Sequence, residues 1–210
     1  MYTELLQGAP FFEFLFQCDR DLAERARSEG CAWCQGKLHQ ANYPRKPRGA
    51  PRELPPDFSI RLSLCCATEE CRRRCTPPSL RFLGRRVYLA AVVVLAAAMQ
   101  QGPTPPRARQ LQKLIDVSPR TLARWRTWWQ AIFPRSSFWK ARRGTFGLRL
   151  APTDLPLALL DRFSGELPAR LQAFLQFLTP LSTASVFSAG FLMAVADPQK
   201  MRAAVVKTSR

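Results

Sequence analysis

Histidine is nearly missing from this chain: among 210 residues only His39 carries an imidazole. That absence excludes the His-hydrophobe-His metal motif of relaxase-type nucleases. Carboxylates are scarce as well, with fifteen Asp and Glu against thirty-two Lys and Arg. Phosphoryl transfer on two metal ions needs a cluster of them, whereas Asp57, Asp116, Asp154, Asp161 and Glu166 are scattered and no ribonuclease-H-like run of strands and helices carries them. No catalytic residue is assigned on this basis. Long apolar runs are also lacking. The longest, Val87 to Met99, falls short of the ~20 residues a membrane span needs and follows Arg85 and Arg86, so it reads as a buried helix. No basic n-region precedes the Phe11–Phe16 stretch, and Glu4, Glu13 and Asp19 surround it, unlike a secretory signal. Ten glycines against eighteen prolines imply stiff joints.

What the chain has in excess is positive charge. A formal net charge of +17 favours a polyanionic partner. Four thiolates holding one zinc would lower it by two, because each thiol loses its proton on ligation. The basic residues are spread through loops and one turn instead of along one amphipathic helix, which favours nucleic acid over an anionic membrane surface.

Seven cysteines carry the second signal. Cys31-Ala-Trp-Cys34 and Cys66-x4-Cys71 are two close thiol pairs separated by a long loop, the ligand layout of a tetrahedral structural zinc site. Cys65 and Cys66 are adjacent, and a strand sends successive side chains to opposite faces, so only one of them can reach the ion. Cys66 is the better choice, because four intervening residues let Cys71 curl back. Cys65, Cys75 and His39 remain alternates. Cys18 reads as a small buried apolar residue. A redox role for Cys31-x2-Cys34 lacks its usual helix N-terminus beside a βαβ unit. A catalytic zinc using Glu69 or Glu70 is less favoured than a closed site with four thiolates. An odd number of clustered cysteines suits a reducing compartment, so a cytoplasmic, nucleoid-associated protein is expected.

Along the chain, helical spacing of Phe12, Leu15, Phe16, Leu22, Ala23 and Ala26 predicts a helix from Phe11 to Glu29, with Asp19 or Asp21 as a cap that restarts it and Gly30 as its stop. Tyr43 to Arg52 and Leu54-Pro-Pro56 predict an extended basic loop between ribbon strands. Phe58 to Leu64 alternates with a period of two and predicts a strand that delivers the cysteines. After Thr76-Pro-Pro78 the pattern turns helical. Three helices are expected at Val87–Gln100, Arg107–Ile115 and Pro119–Phe133, the last with Ser118 as N-cap and Pro119 at its first position. Two shorter ones are expected at Leu155–Phe163 and Leu167–Phe177, divided by Ser164-Gly165. The residues from Ser182 onward are expected to be partly disordered or docked on a partner.

Leu111, Leu114, Val117, Leu122 and Trp125 have the spacing that packs two helices across a tight turn. Ser118, Arg120, Thr121 and Arg124 then occupy the exposed early face of the second helix, where a recognition helix reads base edges in the major groove. Trp125 and Trp129 read as core, while Trp128 and Trp139 stay open between packing and base stacking. Arg45, Lys46 and Arg48 of the loop, with Arg72, Arg73, Arg74, Arg81, Arg85 and Arg86, extend the basic surface for phosphate contact. Arg48-Gly-Ala-Pro51 is similar to the core of a minor-groove hook but lacks its second arginine.

Taken in order, Cys-x2-Cys, Tyr-Pro-Arg-Lys-Pro-Arg-Gly, Cys-Cys-x4-Cys-Arg-Arg-Arg, Thr-Pro-Pro-Ser and Val-Ser-x-Arg-Thr-Leu-x-Arg-Trp resemble small bacterial zinc-ribbon and helix-turn-helix proteins of mobile elements, described as transposase-like. The resemblance spans about residues 15 to 180, and Cys75 is extra to it. It implies DNA binding and no particular reaction.

The expected architecture is mainly α with a small β zinc ribbon. It comprises an N-terminal helical segment (1–30), a zinc ribbon with a basic Pro-rich loop (31–82), a helix-turn-helix domain (83–134), a C-terminal helical segment (135–181) and a tail (182–210). The expected function is duplex DNA binding as a transposon accessory factor or the DNA-binding part of a transposase. Its partners would be DNA and either a transposase or a second copy of the chain. The alternatives are a complete transposase or nuclease with an unrecognised acidic site, and a zinc-stabilised scaffold for RNA or protein.

Overall fold

The computed structural model describes residues 2–49, 51, 53–83, 88–99, 113, 117–146 and 150–183. These residues are mainly helical, with small antiparallel sheets inserted near the N-terminal helix. The expected helix 107–115 falls outside them except for Lys113, as do Arg85, Arg86, Asp116 and the tail beyond Thr183.

Helix α1 (Tyr2–Gln7) leads through Gly8 into α2 (Ala9–Glu29). Helix α2 runs through Asp19 without a break, which corrects the expected restart. Asp19 is buried, because its carboxylate serves three partners across the chain: the Ser79 hydroxyl at 2.5 Å, the Leu80 N–H at 2.6 Å and Arg81 Nε at 2.7 Å. The helix ends where Gly30 adopts φ 77°, its N–H bonded to the Arg27 carbonyl.

Short strands follow: β1 (Leu38–Gln40), β2 (Tyr43–Pro44), β3 (Ile60–Arg61), β4 (Leu64–Cys66) and β5 (Arg74–Cys75). They form two antiparallel sheets, one ordered β1-β4-β5 and the other β2-β3. The single strand expected from Phe58 to Leu64 is therefore divided. Phe58 sits in a 3-10 turn (Pro56–Ser59), and Ile60–Arg61 and Leu64–Cys66 pair with different partners. Around the division the Ser63 N–H bonds Asn42 Oδ1 at 3.0 Å, and the Ser63 carbonyl accepts the Ala41 N–H at 2.7 Å. Arg61 points inward, contrary to the alternation, because its guanidinium donates to the Pro77 carbonyl at 2.5 Å.

The centre of the molecule is α3 (Ala90–Met99), an apolar helix with every residue from Ala90 to Ala98 buried. A helix apolar on all sides must be surrounded. Against it pack α1, α4 (Pro119–Thr127) and α7 (Leu167–Leu178), with α5 (Ser137–Arg142) and α6 (Leu157–Leu160) completing the helical part. One continuous core runs from Leu6 and Phe12 through α3 to Trp125, Trp129, Phe174 and Leu178. A second, much smaller cluster holds Ala26, Cys31, Leu38, Leu64 and Cys66.

Helix α4 is shorter than the expected Pro119–Phe133. The chain widens into a π-helical turn (Trp128–Ile132) and then a 3-10 turn (Phe133–Arg135). Pro134 lacks the N–H that a continuing helix needs, and the wider turn brings Trp128, Trp129 and Phe133 into ring contact at 4.7–5.5 Å. The helix expected at Leu155–Phe163 contracts to α6, and Gly165 at φ 99° separates it from α7. Ser182 is buried, and its Oγ accepts the Ser79 N–H at 2.9 Å.

Candidate metal centre and basic surface

Two turns bring the selected thiols together. In the first, the Gln35 N–H bonds the Cys31 carbonyl at 2.8 Å and the Cys31 N–H bonds the Gly36 carbonyl at 2.9 Å, which closes Cys31 to Gly36 into a loop with Gln35 at φ 58°. In the second, the Cys71 and Arg72 N–H groups both bond the Thr68 carbonyl at 3.0 Å, with Arg72 at φ 43°. Strand β4 delivers Cys66 between them. The sulfurs of Cys31 and Cys71 lie 3.7 Å apart and those of Cys34 and Cys66 3.4 Å apart, and all four fall within 4.8 Å of one another. A tetrahedral ion with sulfur at ~2.3 Å spaces its ligands by roughly 3.8 Å. These four cysteines could therefore hold a metal ion.

Electrostatics agree with that use. The Gly36 N–H, the Cys66 thiol and the Thr68 hydroxyl bring Cys34 down to about 6. Cys31 is also held below the ordinary thiol value: burial opposes its ionisation, but the N–H groups of Trp33 and Cys34 and the Cys71 thiol outweigh it. At Cys71 the Arg73 N–H favours the thiolate, yet burial and the three neighbouring sulfurs push the group up to about 11. Four close sulfurs cannot all ionise alone, and a divalent cation removes that conflict.

Cys65, Cys75 and His39 lie outside the cluster. Strand alternation turns Cys65 to the other face, where its thiol meets the Arg72 carbonyl at 3.4 Å. Cys75 stands opposite Leu64 in β5, and His39 is exposed opposite Cys65. Cys18 is half-buried against the large core, where burial raises it to about 11. Gly36 was missed by sequence reasoning. A side chain there would press on the Thr68 hydroxyl, on Cys34 Sγ at 3.2 Å and on Cys66 Sγ at 3.3 Å. Its place two residues after Cys34 was the available signal.

On the helical side, Ser118 caps α4, its Oγ accepting the Thr121 N–H at 3.3 Å. Val117, Leu122, Trp125 and Trp129 are buried, which turns Arg120 and Arg124 to solvent, with Thr121 half-exposed. Trp139, left open by the sequence, is buried against Phe133 at 5.2 Å, and Trp128 is half-buried. Lys46, Arg48, Arg72, Arg73 and Arg74 are exposed, and Arg45 lies with its guanidinium 5.0 Å over Phe82.

Arg81 is not part of this surface. It is fully buried, paired with Asp19, donating to the Phe58 carbonyl and to the Ile60 carbonyl at 2.9 Å, and stacked 4.2 Å over Phe16. The Arg48-Gly49 segment also has a structural task. The Leu89 N–H bonds the Arg48 carbonyl at 3.2 Å, and Gly49 at φ 82° approaches so closely that a Cβ would lie 2.9 Å from Val92 Cγ2.

Between Glu70 and Asp154 the sole acidic residue is Asp116, among seventeen Lys and Arg. Within α4 and α5 themselves no acidic residue stands among these cations. Comparisons with protein-family models, curated proteins and solved structures match nothing.

Proposed function

We propose that this chain is a zinc-stabilised protein that binds duplex DNA and reads it with α4, in the service of a mobile element. The observation that carries the reading is the orientation of α4. Its buried stripe leaves Arg120 and Arg124 on the open face near a capped N-terminus, in a helix that has no carboxylate of its own. Arginines so placed suit bidentate contact with guanine, and the cations of the Cys31–Cys75 module add phosphate contacts that are indifferent to sequence. Zinc is the metal proposed, because four thiolates at tetrahedral spacing form a closed structural site with no open position for a reacting molecule.

The test is selection of bound sequences from random duplex DNA. A defined motif is expected. Arg120→Ala and Arg124→Ala should each weaken the selected site by about 5- to 100-fold and blur its sequence, while binding to random DNA persists. Unchanged affinity and preference in both variants would remove α4 as the reader.

A further inference from the structure

Trp33 is the residue between the first pair of thiols that the duplex reading does not use. Three large apolar side chains stand exposed among the described residues: Phe14, Trp33 and Ile132. Of these, only Trp33 has a guanidinium over its ring, that of Arg73 at 5.0 Å, and even so it remains 41% exposed. The two residues are forty apart in sequence and meet because of the thiol cluster. Trp33 lies inside the Cys31–Cys34 turn, and Arg73 follows Cys71 with its carbonyl bonded to the Cys66 N–H at 2.9 Å. Arg72 is exposed beside it in a solvent-open ion pair with Glu69 at 4.0 Å, and Arg74 is exposed with its guanidinium 5.7 Å from the Tyr43 ring. Lys37 is exposed just beyond the first turn, and from Gly30 to Arg52 the chain has no acidic residue.

An indole open to solvent, carried by a thiol-bearing turn and with Arg73 over its ring, offers a π-face for a base, and the cations of the two turns offer positive charge for the phosphates on either side of it. Away from its ends a duplex keeps its base faces stacked inside the helix, so along a nucleic-acid strand such a surface is used by an unpaired base. We infer that the cysteine module binds single-stranded DNA, with Trp33 stacking on an unpaired base and Lys37, Arg72 and Arg73 holding the flanking phosphates. This deepens the DNA-binding reading, since the chain would then engage a junction, with α4 on the duplex and the module on the adjoining strand.

The experiment compares the full zinc-loaded chain on a blunt duplex and on the same duplex carrying a thymidine arm of roughly six nucleotides, a length that one small stacking site spans. The arm is expected to raise affinity by about 5- to 100-fold. Trp33→Ala should abolish that gain with zinc content and blunt-duplex binding unchanged, and Trp33→Phe should retain most of it. Equal affinity of the native chain for both DNAs overturns the inference, as does a full gain in zinc-replete Trp33→Ala. The two readings fail separately. Binding to the thymidine arm without binding to the blunt duplex would end the duplex reading and leave the platform standing.

Discussion

At the scale of single residues, the strongest coupling between the α2 helix and the rest of the chain is one buried ion pair. Asp19 and Arg81 are both removed from water, and the carboxylate also accepts from Ser79 and Leu80. Such a pair adds little over an apolar substitute but costs much when halved. Asp19→Ala should therefore lower stability by about 3–5 kcal/mol in urea unfolding. Adding Arg81→Met should recover part of this, because the stranded cation is gone, but not all, because the Leu80 N–H and Ser79 hydroxyl still lack their acceptor. Gly49 offers a second test. At φ 82°, with Val92 against its Cα, Gly49→Ala should cost more than the ~1 kcal/mol of left-handed strain alone, read as a fall in melting temperature. Neither effect was legible in the sequence. Asp19 looked like a cap and Arg81 like a surface cation, since nothing in their neighbours reveals a partner sixty residues away.

At the scale of elements, buried anchors and exposed cations fall on opposite faces. Helix α4 has its anchors, Leu122 and Trp125, on one side and Arg120 and Arg124 on the other. Trp125 packs edge-on against Tyr88 at 4.9 Å, so Trp125→Ala should cost about 3–5 kcal/mol through lost burial and a residual cavity. The two arginine variants should leave the denaturation midpoint unchanged while altering DNA binding, so one urea series distinguishes the two faces. The cysteine module would depend on the proposed zinc in a different way. Its own buried cluster is five residues, three of them outside the thiol set, too little apolar surface to persist alone. Chelation should raise hydrogen exchange across residues 31–75 while α3 and α7 stay protected, and Cys34→Ser should lose zinc by elemental analysis. Full zinc retention in that variant would end the assignment of zinc to this set of four thiolates.

For the molecule as a whole, charge and packing are segregated along the chain. Of the seventeen cations between Glu70 and Asp154, Arg81 is buried against Asp19, and the others, with Asp116 as the one carboxylate among them, repel one another in the free protein, a repulsion that a polyanion relieves. Binding to random duplex DNA should accordingly weaken steeply with added salt, and a Lys46→Ala, Arg73→Ala double variant should show a shallower salt slope by roughly one to two counterions. The same packing makes α3 indispensable. Sealed on every side, it joins α1, α4 and α7 in one core, so Val93→Asp should abolish cooperative unfolding altogether.

Local chemistry determined what could be read without coordinates. The two thiol pairs and the choice of Cys66 over Cys65 follow from covalent spacing and strand alternation. The Ser118 cap with Pro119 follows from backbone donors at a helix start, and the buried stripe of α4 follows from helical periodicity. Each of these acts within a few residues. Tertiary structure alone decided where long-range partners meet. It split the alternating Phe58–Leu64 run between two sheets, drew Arg61 and Arg81 inward, seated Gly49 on Val92, and set Trp33 against Arg73. Those outcomes depend on contacts between residues that sequence leaves far apart, where burial, carbonyl acceptors and a buried carboxylate outweigh the local pattern.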